Sequence, residues 1–116
     1  MSGTSKENTG SSKELQVTVV IPCHNHADMV GEAIDSVSKQ DYRPINIVVV
    51  DDGSNDNLQA VITEKSKQQD DVDIFYIRNE QAKGPSAARN KAIEYMWDKA
   101  DVFMMLDADD RYLDKK

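Results

Sequence analysis

Cysteine occurs once in the 116 residues, at Cys23, so no disulfide can close within the chain. One thiol and two histidines also leave too few soft ligands for a structural zinc site. Positive charge is scarce: 14 Lys and Arg stand against 21 Asp and Glu, for a net charge of −7. Nucleic-acid binding wants a basic face, so that class is disfavoured. An anionic phosphate ligand is equally awkward unless a cation is recruited. No apolar run approaches the roughly 20 residues that span a bilayer. The N-terminus shows no apolar core of a secretory signal, so a cytoplasmic location is the expectation.

What is present reads as one small α/β domain. Hydrophobic residues make up 39% and charged residues 30%, a globular balance. Residues 1–16, rich in Ser, Thr, Gly and Lys, read as a flexible tail, and the domain is expected over 17–116. From Val17 the pattern changes. "VTVVI" is a β-branched strand that Pro22 is expected to stop. "DMVGEAIDSVSKQ" places Met29, Val30, Ala33, Ile34 and Val37 at helical spacing, with Asp28 as N-cap. "INIVVV" (45–50) is a second strand, and a helix through about Lys67 follows it. "VDIFYI" (72–77) is a third strand. A helix over 86–99, capped by Ser86, carries Ala88, Ala92, Ile93 and Met96 on one side, with Tyr95 and Trp97 packing. "DVFMML" (101–106) is a fourth strand. The alternation predicts a mostly parallel sheet of about four strands with helices on both faces, joined by right-handed crossovers.

In such a sheet the carboxyl ends of the strands share one edge, where ligands bind. Three of these ends are polar: "PCHNH" after the first strand, "DDGSND" after the second and "DADD" after the fourth. Asp107, Asp109 and Asp110 crowd together in a chain already acidic, and like charges this close raise one another's pKa. A hard divalent cation held by carboxylate oxygens would relieve the repulsion and could in turn hold a diphosphate. A solvated acidic turn is the competing reading. Asp51 and Asp52 end a buried strand, and Gly53 allows a tight turn. Ser54, Asn55 or Asp56 can cap the next helix. Plain turn chemistry competes here with a carboxylate that accepts from a base N–H or a ribose hydroxyl. His24 offers a flat ring to stack on a base, or simply packs in its loop. Asn25 can bond backbone or ligand. Cys23 reads as a small buried residue, since no basic neighbours mark it as a nucleophile. Lys83 and Arg89 are the cations nearest the acidic edge. Each suits a phosphate, an ion pair with the acids, or a purely structural role.

Taken together, "VTVVIPCHN", "INIVVVDDGSND", "GPSAARNKAI" and "FMMLDADDR" resemble, in order and spacing, the N-terminal part of a family 2 glycosyltransferase with the GT-A fold. The resemblance covers about 100 residues. It implies a Rossmann-like half-domain that binds a nucleoside-diphosphate sugar for inverting transfer to an acceptor hydroxyl. It places Pro22, Cys23, His24 and Asn25 around the base and ribose, with His24 where family members often carry a stacking Tyr. It places Asp52 on the base with Asp51 beside it, and Arg89 with the donor site. It puts Asp107 against the ribose or a metal-bound water. Asp109 would coordinate Mn²⁺ or Mg²⁺, with Asp107 and Asp110 as further metal contacts. UDP is the expected nucleotide because it predominates in the family.

One departure is large. Family members continue past this acidic motif into a half that holds the acceptor site and the general base, whereas this sequence ends at Lys116. The expectation is therefore donor binding without transfer, and an exposed apolar face that promotes self-association. An alternative is a non-catalytic α/β remnant that serves as an interaction module. A Mg²⁺-dependent receiver-like domain would need an acid pair after the first strand and a lone Asp after the third. Pro22-Cys23 and Arg78-Asn79 stand there instead.

Overall fold

Apolar β-branched runs alternate with helical segments, and the computed structural model, which describes residues 15–69 and 71–107, folds them in strict alternation. Strand β1 spans Val17–Cys23, helix α1 Val30–Ser38, strand β2 Ile45–Asp52 and helix α2 Leu58–Gln68. Strand β3 spans Asp73–Asn79, helix α3 Pro85–Tyr95 and strand β4 Val102–Met105. The strands form one parallel sheet in the order β3-β2-β1-β4.

Strand order and handedness fix the layers. From β1 the chain steps outward to β2 and β3, so right-handed crossovers put α1 and α2 on one face. The return from β3 to β4 runs the other way and puts α3 on the opposite face. The core divides accordingly. Val19, Ile21, Ile47 and Val49 meet Val30, Ile34, Val37, Leu58 and Ile62 on the first face. Val20, Val48 and Val50 meet Ala88, Ala92 and Met96 on the second. Successive strand residues point to opposite faces, so the unbroken apolar runs of β1 and β2 are what two covered faces require. The expected architecture is thus present.

Several local expectations are corrected. Pro22 does not stop β1; the strand continues to Cys23, with Pro22 in register with Val50. The carbonyl of Val20 accepts from Leu106 N on the β4 side. Two residues on, the absent N–H of Pro22 faces that same side, beyond the last β4 pair at Met105, so no ladder bond is lost. Asp28, Ser54, Asn55, Asp56 and Ser86 are not N-caps. Met29, Asn57 and Gly84 take those positions, none with a side-chain capping bond. Met29 and Trp97 are exposed instead of packed. β4 is an edge strand with Val102, Met104 and Met105 exposed, not a strand covered on both faces. Leu15 and Gln16, inside the expected tail, are hydrogen-bonded: Leu15 O accepts from Tyr42 Oη at 2.6 Å, and Gln16 N donates to Asp101 Oδ2 at 2.8 Å.

Candidate functional site

The chain leaves β1 in one direction and returns to its other side at β4, so the direction of winding reverses between these two strands. Ligands of open α/β sheets bind beyond the strand carboxyl ends at such a reversal. His24 and Asn25 leave β1 there, and Asp107 follows β4 with an exposed side chain. Asp109 and Asp110 lie outside the described residues. Among the described residues, no three of His, Cys, Asp and Glu stand close enough to hold a metal ion.

The loops after β1 and β2 are zipped together. Asn25 N donates to Ser54 Oγ (2.9 Å), Asn55 N donates to Asn25 Oδ1 (2.8 Å), and Ala27 N donates to Asp56 Oδ2 (3.0 Å). This is where the expected capping side chains went. Asn25 adopts a left-handed backbone with φ 59°, which asparagine tolerates better than most residues. His24 Nδ1 lies 2.8 Å from the carbonyl O of Asp52, a geometry that needs the proton on Nδ1. The Nε2 atom is left as an acceptor, 3.5 Å from Asn25 Nδ2. Pro22 and Cys23 end β1 beneath this loop. Cys23 is buried, and burial, with the Asp51 and Asp56 charges adding to it, pushes its thiol up to about 12. It is a packing residue, not a thiolate.

Asp51 and Asp52 differ in what occupies their oxygens. They alternate across the sheet, so Asp51 faces the α1/α2 layer and Asp52 the α3 layer. Asp51 Oδ1 accepts from Ser54 N at 2.9 Å. Its Oδ2 accepts from Arg78 Nη1 at 2.7 Å and from Tyr76 Oη. Three donors thus hold the buried Asp51 carboxylate. Asp52 Oδ1 accepts from Asn79 Nδ2 (3.0 Å) and Lys83 N (2.9 Å), and Oδ2 accepts from Gly84 N (2.9 Å). Three donors leave Oδ2 one acceptor position. Burial raises both acids, but the hydrogen bonds outweigh it and hold each below the usual carboxylate value. Tyr76 is pushed up to about 12, chiefly by burial and then by its bond to Asp51.

Gly53 lets the 80–84 loop close over this turn. Its φ is +71°, and a Cβ there would sit 2.6 Å from Ala82 N. Arg89, one turn into α3, is half-buried and reaches Ser86 Oγ at 3.3 Å, making no ion pair among the described residues. Lys83 contributes its backbone to Asp52, and its side chain is exposed. Sequence reading missed Tyr76, Arg78 and Asn79. The period-two pattern of "YIRN" was the available signal, since register sets Arg78 opposite Asp51 and Asn79 opposite Asp52.

Comparison with known proteins fits this geometry. The family model described as "Glycosyl transferase family 2" matches residues 18–116. A UDP-Glc:alpha-D-GlcNAc-diphosphoundecaprenol beta-1,3-glucosyltransferase, WfgD of Escherichia coli, is 35% identical over 100 residues, which is 86% of this chain and 37% of that protein. The glycosyltransferase GlyA of Streptococcus pneumoniae is 37% identical over 95 residues, 82% of this chain and 13% of that one. Among solved structures, the mannosyltransferase PcManGT of Pyrobaculum calidifontis, in complex with GDP-Man and Mn²⁺, superposes with a TM-score of 0.78 at 25% identity, over 87% of this chain and 29% of that chain. S. aureus TarS 1–349 in complex with UDP-GlcNAc gives 0.68 at 28% identity, over 84% and 27%. The chain thus spans well under half the length of these relatives. A GT-A sheet, a polar edge at its point of reversal and a family match across nearly the whole domain converge: the chain belongs to glycosyl transferase family 2.

Proposed function

We propose that residues 17–116 form the donor side of a glycosyltransferase, binding a nucleoside-diphosphate sugar together with a divalent cation. What supports this reading is the reversal of winding between β1 and β4: His24 and Asn25 leave β1 there, Asp107 follows β4, and Asp52 Oδ2 accepts one bond only among the described residues. Asp52 would accept from the base N–H, which suits the imide of uracil. UDP is the nucleotide proposed, as in the substrate name of WfgD. His24 would stack on the base, its plane fixed by the Asp52 carbonyl, and Pro22 would border the pocket. Arg89 would approach the diphosphate from α3.

The donor set suits a hard cation. Asp107 is exposed after the end of β4, and Asp109 and Asp110 follow it in sequence, so every ligand offered is a carboxylate oxygen. When bound, Mn²⁺ or Mg²⁺ would supply Lewis-acid neutralisation of the leaving diphosphate. Neutralisation matters in a chain of net charge −7. The cytoplasm, where nucleotide sugars are abundant, is the compartment we propose.

Calorimetric titration of UDP into the purified chain, with Mn²⁺ and with excess EDTA, tests the reading. The expected result is binding that needs Mn²⁺ and is lost in Asp109→Ala. Absence of binding by UDP, GDP and dTDP alike, or binding indifferent to EDTA and to Asp109→Ala, would overturn it.

A further inference from the structure

Asp51 sits in the acidic edge, yet its carboxylate is buried and accepts three hydrogen bonds from within the protein. Its partners form a continuous chain across three strands. Arg78 and Tyr76 on β3 hold Asp51 Oδ2, and Asp51 Oδ1 holds the amide of Ser54. The Ser54 hydroxyl takes the N–H of Asn25, and Asn25 Oδ1 takes the N–H of Asn55. Asp51 Oδ1 holds the backbone amide of Ser54, and so fixes where the Ser54 hydroxyl stands to accept from Asn25. Nothing in turn-and-cap chemistry calls for an Arg and a Tyr on a neighbouring strand. Register supplies them, with Arg78 directly opposite Asp51.

We infer that Arg78 and Tyr76 are positioning residues: through Asp51 and Ser54 they fix the segment His24–Asn25 that borders the nucleotide crevice. The inference rests on the donor-site reading for its functional meaning, but the hydrogen-bond relay exists without a ligand. Distance argues against a direct role at the diphosphate. Strands stand about 4.8 Å apart, so β3 lies roughly 14 Å from β4 across the sheet. The guanidinium is moreover engaged by Asp51, with Glu80 Oε2 3.7 Å from Nε.

The test uses the whole chain and two readouts. Amide hydrogen exchange without ligand is compared for wild type, Arg78→Gln, Tyr76→Phe and Ser54→Ala. The Asn25 amide should exchange about tenfold faster in Arg78→Gln and in Ser54→Ala, and less so in Tyr76→Phe, while Val48 and Val49 are unchanged. Arg78→Lys, which keeps one ion-pair donor, should restore most of the protection. UDP affinity in Mn²⁺ should fall about tenfold in Arg78→Gln and in Ser54→Ala, and the double variant Arg78→Gln/Ser54→Ala should lose no more than either, since both cut one chain. Unchanged Asn25 exchange in Arg78→Gln and Tyr76→Phe would overturn the proposal. So would multiplicative affinity losses in the double variant, because they would mean that Arg78 acts independently of Ser54. If wild type binds no nucleoside diphosphate, the donor-site reading fails, and the exchange comparison still decides the positioning role.

Discussion

Asp51 and Asp52 are neighbours in sequence and end the same strand, but they face opposite layers and serve different loops. Asp51 fastens the turn after β2 to β3 and, through Ser54, to the loop after β1. Asp52 fastens the 80–84 loop by two backbone amides and keeps an acceptor position open. Between them and the loop, Gly53 is the residue without a substitute. Its φ is +71°, and an added Cβ would strike the Ala82 backbone, which no rotamer change can relieve. Gly53→Ala should destabilise the domain by at least about 2 kcal/mol. It should appear in urea unfolding as a lower midpoint at unchanged slope, and it should weaken nucleotide binding by displacing the loop that Asp52 holds.

At the scale of elements, the ends of α1 and α2 show why some features could be read from sequence and others could not. Strand interiors and helix faces were legible, because burial on two faces demands unbroken apolar runs and burial on one demands helical spacing. In β2, Ile47, Val48, Val49 and Val50 are all buried, although they alternate between the two layers. Caps were misread because Ser54 and Asp56 bond to a loop 29 residues earlier in the chain instead of to their own helix. A local rule cannot see a partner that tertiary register supplies. Asp109 and Asp110 of the acidic motif lie outside the described residues, and the relay through Tyr76 and Arg78 was not legible, since it needs the β2–β3 register. The other end of α1 is closed by a cation: Arg43 donates to the carbonyls of Ser38 (2.9 Å), Gln40 (2.8 Å) and Tyr42 (2.7 Å) and pairs with Asp71. Arg43→Met should cost about 1–2 kcal/mol in unfolding experiments. Because this cluster lies at the edge of the sheet away from the crevice, UDP affinity should stay unchanged.

For the whole molecule, the shifted groups define a pH window. Asp51 and Asp52 are lowered from 3.8, so their contribution is complete above about pH 4 and is lost as pH falls through the lower folded values. Cys23 and Tyr76 are raised from 9.0 and 10.0 to about 12, so the folded state keeps protons that the unfolded chain releases. Their contribution is complete below about pH 9 and disappears as pH climbs toward 12. The urea midpoint should therefore be flat from about pH 5 to pH 8 and fall on both sides. Cys23→Ala should flatten part of the alkaline limb and leave the acid limb as it is.

β4 joins the sheet beside β1, and the contact of Asp101 with Gln16 spans 85 positions, against 28 for the contact of His24 with Asp52. Closing the longer loop costs about 1 kcal/mol more in chain entropy, by the logarithm of the ratio of loop lengths. A four-residue edge strand with exposed side chains returns little for that cost. In time, then, the sheet is expected to assemble from β1 outward to β3, which can pair while β4 is still searching. On the proposed function, the order of folding separates two jobs. The loops after β1 and β2, which would face the nucleotide, are in place before β4 brings in Asp107.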